Sequence, residues 1–202
     1  CSDIGDNTVT LSVTDTSGNS SSATAVVTVE DDLDPTAVTQ DITVQLDANG
    51  QASISASDID NGSSDNCSVG TSTLDITNFN CSDIGDNTVT LTVTDASGNS
   101  SSATAVVTVE DDLDPTAVTQ DITVQLDANG QASISASDID NGSSDNCSVG
   151  TSTLDITNFN CSDIGDNTVT LTVTDASGNS SSATAVVTVE DDLDPVVVTQ
   201  DI

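Results

Sequence analysis

Residues Pro35 to Asp114 recur without a single change as Pro115 to Asp194, and Cys1 to Asp34 repeats Cys81 to Asp114 except at Ser12 and Thr16. Self-similarity at a fixed period constrains a chain more than any local propensity, because every copy must solve the same packing problem. The period, set by the step from Pro35 to Pro115 and on to Pro195, is too long for a solenoid unit and has the size of a small domain. A proline that follows an acidic run cannot continue a strand ladder and stiffens the link. Boundaries are therefore expected at Asp34/Pro35, Asp114/Pro115 and Asp194/Pro195. They give residues 1–34 as the C-terminal half of a module, 35–114 and 115–194 as complete modules, and 195–202 as the start of another.

Within the repeat the hydropathy alternates with period two. In the copy beginning at Pro115 one face collects Ile122, Val124 and Leu126, then Ala132, Ile134 and Ala136. The pattern continues with Val169, Leu171 and Val173, then Ala183, Ala185, Val187 and Val189. Serine and threonine fill the other face, as in strands with one side in water. Turn chemistry separates the runs at Asp127 to Gly130 (DANG) and Asp175 to Asn179 (DASGN), where aspartate, asparagine and glycine satisfy or permit turn backbone. The expected fold is all-β: tandem immunoglobulin-like antiparallel β-sandwiches of about seven strands each, strung head to tail. The row Thr168, Thr170, Thr172, Thr174 is reminiscent of ice-binding arrays, yet one such row is ordinarily the outward face of a strand.

The chain carries 34 acidic side chains and no lysine, arginine or histidine. No side-chain ion pair is available to it, so each carboxylate is hydrated, hydrogen-bonded, or bound to a cation from solution. Two unit charges about 10 Å apart in water repel by only about 0.4 kcal/mol, but the sum over the chain is substantial. Nucleic acid and direct membrane insertion are excluded as partners on this charge. An enzyme is not expected either, since no nucleophile–base pair or cationic transition-state stabiliser is available. Paired carboxylates capable of glycoside hydrolysis do not fit identical tandem copies.

Five cysteines stand at 1, 67, 81, 147 and 161, without a CxxC motif. Their regularity fits structural disulfides and an oxidising, extracellular setting. A thin aliphatic core with only Phe79 and Phe159 as aromatics also calls for a staple. Pairing within a module, Cys67 with Cys81 and Cys147 with Cys161, is expected ahead of pairing between modules, with Cys1 as the second member of a pair begun earlier. A signal peptide and an apolar membrane-spanning run are both missing, as in an internal piece of a longer protein.

The run NTVTLTVTDASGNSSSATAVVTVEDDLDP, preceded by SSDNC and FNCSDIG, resembles the hyalin-repeat type of immunoglobulin-like domain, in the version found in very long surface adhesins of gliding Bacteroidetes. The V-T-D-x-S-G-N turn and the acidic D-x-x-P junction carry the resemblance, which covers the whole chain. It implies a non-enzymatic building unit of an extracellular adhesion protein. The chain departs from the common hyalin-repeat pattern in having no cysteine in its last strand, which leaves the DNC/FNC cysteines as the pair the resemblance implies.

In a sandwich of this plan the last strand ends at one pole, and two loops of the next module meet it there. Glu110, Asp111, Asp112 and Asp114 would then approach Asp138, Asp140, Asn141 and Asp145 in SDIDNGSSDN and Asp175 and Asn179 in DASGN. Asp31, Asp32 and Asp34 would meet Asp58, Asp60, Asp65, Asp95 and Asn99 in the same way. Six to eight hard oxygen ligands suit Ca²⁺, whereas zinc prefers nitrogen or sulfur. DIDNG also approximates a calcium loop, with its glycine one place early and no bidentate glutamate. Two alternatives stand beside calcium at the junction: acidic loops holding only a diffuse ion cloud, and a site elsewhere in the module. Functionally the chain reads as a stalk segment of an extracellular filament, with its own neighbouring modules, and further copies in a fibre, as partners. The other reading is an adhesin array recognising polysaccharide through loops or threonine faces.

Overall fold

The computed structural model describes residues 1–200. It is all-β but for two single-turn helices and short 3₁₀ turns. The segment before Pro35 forms a hairpin of β1 (Gly5–Thr14) and β2 (Ser20–Val29). The repeat from Pro35 contains β3 (Ile42–Gln45), β4 (Gln51–Ser53), α1 (Ala56–Ile59), β5 (Val69–Leu74), β6 (Asn78–Asn80), β7 (Gly85–Asp95) and β8 (Ser100–Glu110). The repeat from Pro115 follows the same order with β9 (Ile122–Gln125), β10 (Gln131–Ser133), α2 (Ala136–Ile139), β11 (Val149–Leu154), β12 (Asn158–Asn160), β13 (Gly165–Asp175) and β14 (Ser180–Glu190).

Each repeat builds a four-stranded sheet and a two-stranded one, in the orders β11-β13-β14-β9 and β10-β12 for the second copy. Six strands are regular. The seventh expected strand is reduced to two isolated bridges, Thr116 with Ser144 and Thr119 with Asp140. The sheets are also not wholly antiparallel, since β9 pairs parallel to β14, Ile122 beside Val187 through Gln125 beside Glu190.

The second run of alternating residues ends sooner than its pattern predicts. β10 stops at Ser133 and Ala136 opens α2, because Ser135 and Asp138 form a capping box in which the Asp138 carboxylate accepts the Ser135 N–H at 2.7 Å and its hydroxyl at 2.8 Å. Such reciprocal caps satisfy amides that a first helical turn leaves unpaired. The turn carries Ile139 into the core.

Backbone proximity divides the chain into two compact units. One comprises residues 1–44, 53–78 and 85–109, and the other comprises 45–52, 79–84 and the chain from Glu110 onward. The second unit therefore includes the DANG turn and the FNC segment of the repeat that precedes it in sequence. Its core gathers Leu126, Ile134, Ile139, Phe159, Val169, Leu171, Val173, Ala185, Val187 and Val189. The first unit provides an internal control on what burial requires. Val89, Leu91 and Val93 are fully buried on β7, whereas the matching Val9, Leu11 and Val13 on β1 are 49%, 68% and 59% exposed.

Candidate metal centre and inter-repeat staple

The predicted pairing of cysteines within a module is not what the structure shows. The bonds run from Cys1 to Cys67 and from Cys81 to Cys147, each with a sequence separation of 66, and Cys161 is an exposed free thiol. Strand direction explains the outcome. β11 is antiparallel to β13, β13 to β14, and β14 parallel to β9. The tight turn at Asp127, closed by the Asp127 N–H donating to the Gln131 carbonyl and the Gly130 N–H donating to the Asp127 carbonyl, reverses the chain into β10, which is antiparallel to β12. β11 and β12 thus run the same way, and their strand residues alone carry Cys161 roughly 30 Å from Cys147 at about 3.3 Å per residue. Disulfide Cα atoms sit only about 4.4 to 6.8 Å apart, so a bond inside the repeat is geometrically closed to this fold. Cys1, likewise, finds its partner in Cys67.

The same strand directions bring three carboxylates together in each unit. Asp111, Asp145 and Asp175 each offer an oxygen within 4.8 Å of the others, and Asp31, Asp65 and Asp95 do the same. Asp111 lies just past β8, Asp145 in the loop before β11, and Asp175 at the end of β13. Asp111 and Asp175 are buried, at 4% and 5% exposure.

Asp111 and Asp145 are each held by one oxygen of the carboxylate, and Asp175 by both. Asp111 Oδ1 accepts the Asn146 amide at 3.1 Å. Asp145 Oδ2 accepts the Cys147 and Ser148 N–H groups at 2.9 and 3.1 Å. Asp175 takes the Gly178 and Asn179 N–H on Oδ1, at 2.6 and 2.8 Å, and the Asn179 side-chain amide on Oδ2 at 2.8 Å. The Asn179 amide also reaches the Asp111 carbonyl at 2.8 Å, binding the linker to the turn. What remains is Asp111 Oδ2, Asp145 Oδ1 and Asn146 Oδ1, all buried without a hydrogen-bond partner. Asp31 Oδ2 and Asp65 Oδ1 are left in the same state in the other unit. Carboxylates at this separation repel by roughly 3 kcal/mol per pair at an effective dielectric constant near 20. No lysine, arginine or histidine exists to offset that. The donor set is all oxygen, which suits a hard cation such as Ca²⁺.

The remaining sequence candidates are placed elsewhere. Glu110 accepts the Gln45 amide at 2.8 Å, while Asp32, Asp34, Asp112 and Asp114 are exposed. Asp58 and Asp138 are occupied as helix caps. Asp60 and Asp140 close turns by accepting the Ser63 and Ser143 N–H, each at 2.9 Å. Asn99 is placed as Asn179 is, donating to the Asp31 carbonyl and to Asp95. The residue the sequence reading passed over is Asn146, directly before the cysteine of the DNC loop. Its amide bonds both Asp111 and the carbonyl of Asp47 in the DANG turn at 3.1 Å.

Burial pushes the Asp175 carboxyl up, and the hydrogen bonds from the Asn179 side chain and the Gly178, Asn179 and Ser177 amides outweigh it, holding the group below its ordinary value of 3.8. A carboxyl depressed on folding adds stability above its unfolded pKa, and that stability is lost as the pH falls through the lower folded value. Unfolding by urea between pH 5 and pH 2, intervals chosen to bracket the ordinary carboxyl range of about 4, should therefore show an acid limb that Asp175→Asn flattens.

No family model matches the chain, and no curated protein matches it. Among solved structures it is similar to a fragment of a mouse clustered protocadherin, PcdhgC3 EC1-3, at 16% identity and a TM-score of 0.37, over 92% of this chain and 77% of that one. It is similar to protocadherin gamma B7 extracellular cadherin domains 1-4 at 11% identity and a TM-score of 0.39, over 93% of this chain and 58% of that one. Titin domains I67-I69 match at 9% identity and a TM-score of 0.40, over 92% and 75% of the two chains.

Proposed function

We propose that this chain is a structural segment of a long extracellular filament or adhesin stalk, in which Ca²⁺ at the repeat boundaries offsets carboxylate repulsion and fixes each boundary. The observation that supports it is the pair of identically built acidic clusters, one per boundary, each with buried carboxylate oxygens facing no donor. Asp111, Asp145, Asp175 and Asn146 would hold one ion, and Asp31, Asp65 and Asp95 another. The extracellular setting is supported by the two disulfides, since such bonds persist in oxidising compartments. The resemblance to hyalin repeats of bacterial surface adhesins supports a place on a cell surface, in adhesion or gliding.

Titration with calcium tests the reading. An ion that binds only the folded chain stabilises it by about 2.7 kcal/mol at a concentration 100 times its dissociation constant. The expected result is a calcium-dependent rise in melting temperature that a chelator reverses and that Asp111→Asn with Asp145→Asn weakens. Identical melting curves with calcium and with chelator would remove the metal from this function.

A further inference from the structure

The bond between Cys81 and Cys147 lies within a fitted contact. Gly50, in the left-handed conformation at φ +68°, lets the sulfur atoms and the DNC loop come close: an added Cβ there would stand 2.5 Å from Cys81 Sγ and 2.8 Å from the Asn146 carbonyl oxygen. Asn146 donates to the Asp47 carbonyl at 3.1 Å. The DANG turn and the cysteine after β6 thus form one half of a socket, and the Asp145–Asn146–Cys147 loop fills it.

The repeat from Pro115 carries the same socket in the same conformation. Gly130 has φ +72°, and an added Cβ would stand 2.6 Å from Cys161 Sγ. The turn is closed in the same way, with Asp127 Oδ1 accepting the Asn129 and Gln131 N–H at 2.8 and 2.9 Å. Cys161 is exposed and unbonded, and the groove beside it is lined by Asp127, Gln131, Asn160 and the buried Phe159. Identical residues that hold a loop in one copy stand ready in the next.

We infer that the Asp127–Gly130 turn and Cys161 are a docking socket for the Asp-Asn-Cys loop of another repeat of this sequence, closed by a disulfide. Two thiols lose two electrons and two protons in forming the bond. The acceptor is a small-molecule disulfide, which leaves as two thiols after exchange. The role is covalent assembly, and it stands whether or not calcium binds the neighbouring acids.

The test adds an in-frame second copy of Pro115–Asp194 after Asp194, refolds the chain in a glutathione redox buffer, and counts alkylatable thiols by intact mass, with calcium and with chelator. The five cysteines become seven, and the socket predicts one free thiol, rising to two when Cys161→Ser is introduced. Were the two added cysteines to pair with each other, Cys161→Ser would instead leave none, and the inference would fail. Three free thiols in the parent extended chain would overturn it equally. Gly130→Ala should slow closure about tenfold through the crowding and strain it brings. In case that change disturbs the turn itself, Asn→Ala in the added loop provides an independent reading, because it leaves the socket intact and should also slow closure. Unaltered closure in both variants would show that no docking precedes the bond.

Discussion

Replacing Cys81 and Cys147 together by alanine is expected to lower the unfolding free energy of the unit that contains them by about 4 kcal/mol, the loop-closure term for a bond enclosing a loop of this length. The bond joins cysteines at a sequence separation of 66, so in the unfolded chain it removes much more freedom than a link from Cys147 to Cys161 would. Against a small domain whose total stability is about 5 to 15 kcal/mol, the loss should move the urea midpoint by a large fraction of its value. Reductant added to the native chain should reproduce that loss in the second unit and, by cleaving Cys1–Cys67 as well, add one in the first. Cys161→Ala should leave the midpoint where it is, because that thiol is exposed and in no disulfide. If Cys147→Ala with Cys161→Ala proved no different from Cys161→Ala alone, the assigned connectivity would be wrong.

Why the pairing was hidden in the sequence follows from the repeat. The cysteines alternate a long step, Cys1 to Cys67, with a short one, Cys67 to Cys81. The two steps together make one period, so either choice of pairing generates the same ladder of positions. Choosing between them requires strand directions, and those depend on which sheet each short strand joins. The long strands were legible because Val169, Leu171 and Val173 alternate with threonine over a full strand length. β10 was not, because a strand running only from Gln131 to Ser133 is too short for periodicity to fix an end. The capping box Ser135 to Asp138 was the available signal that the strand had stopped.

The candidate site was legible in outline. Placing the linker against the loops before β11 and after β13 required only the sandwich plan, and Asp111, Asp145 and Asp175 do meet. Which of four neighbouring linker acids turns inward is decided by backbone direction. Asp111 is buried under the Asn179 and Asn146 amides, and Asp112 and Asp114 face solvent. DIDNG approximates a calcium loop in composition, and its acids accept hydrogen bonds in a helix cap and a turn.

Leu171→Ala is expected to cost the second unit about 2 to 5 kcal/mol, the usual range for truncating a buried leucine and leaving a cavity. Leu171 is fully buried at the centre of β13. It stands opposite Leu154 on one neighbouring strand and Ala183 on the other, so its cross-strand neighbours are small or aliphatic. A core whose one aromatic residue is Phe159 has little material to collapse into that gap. Leu91→Ala removes the identical side chain, equally buried, from β7 in the first unit. Scanning calorimetry of the two variants should shift a transition by similar amounts, and the double variant should shift both. The β1–β2 hairpin offers the control: Leu11→Ala alters a residue of the same type and register position that is 68% exposed, and it should change stability by less than about 0.5 kcal/mol, as surface substitutions do. A loss at Leu11 equal to that at Leu171 would mean that β1 is covered in solution and that the burial contrast between the hairpin and the complete repeats does not hold.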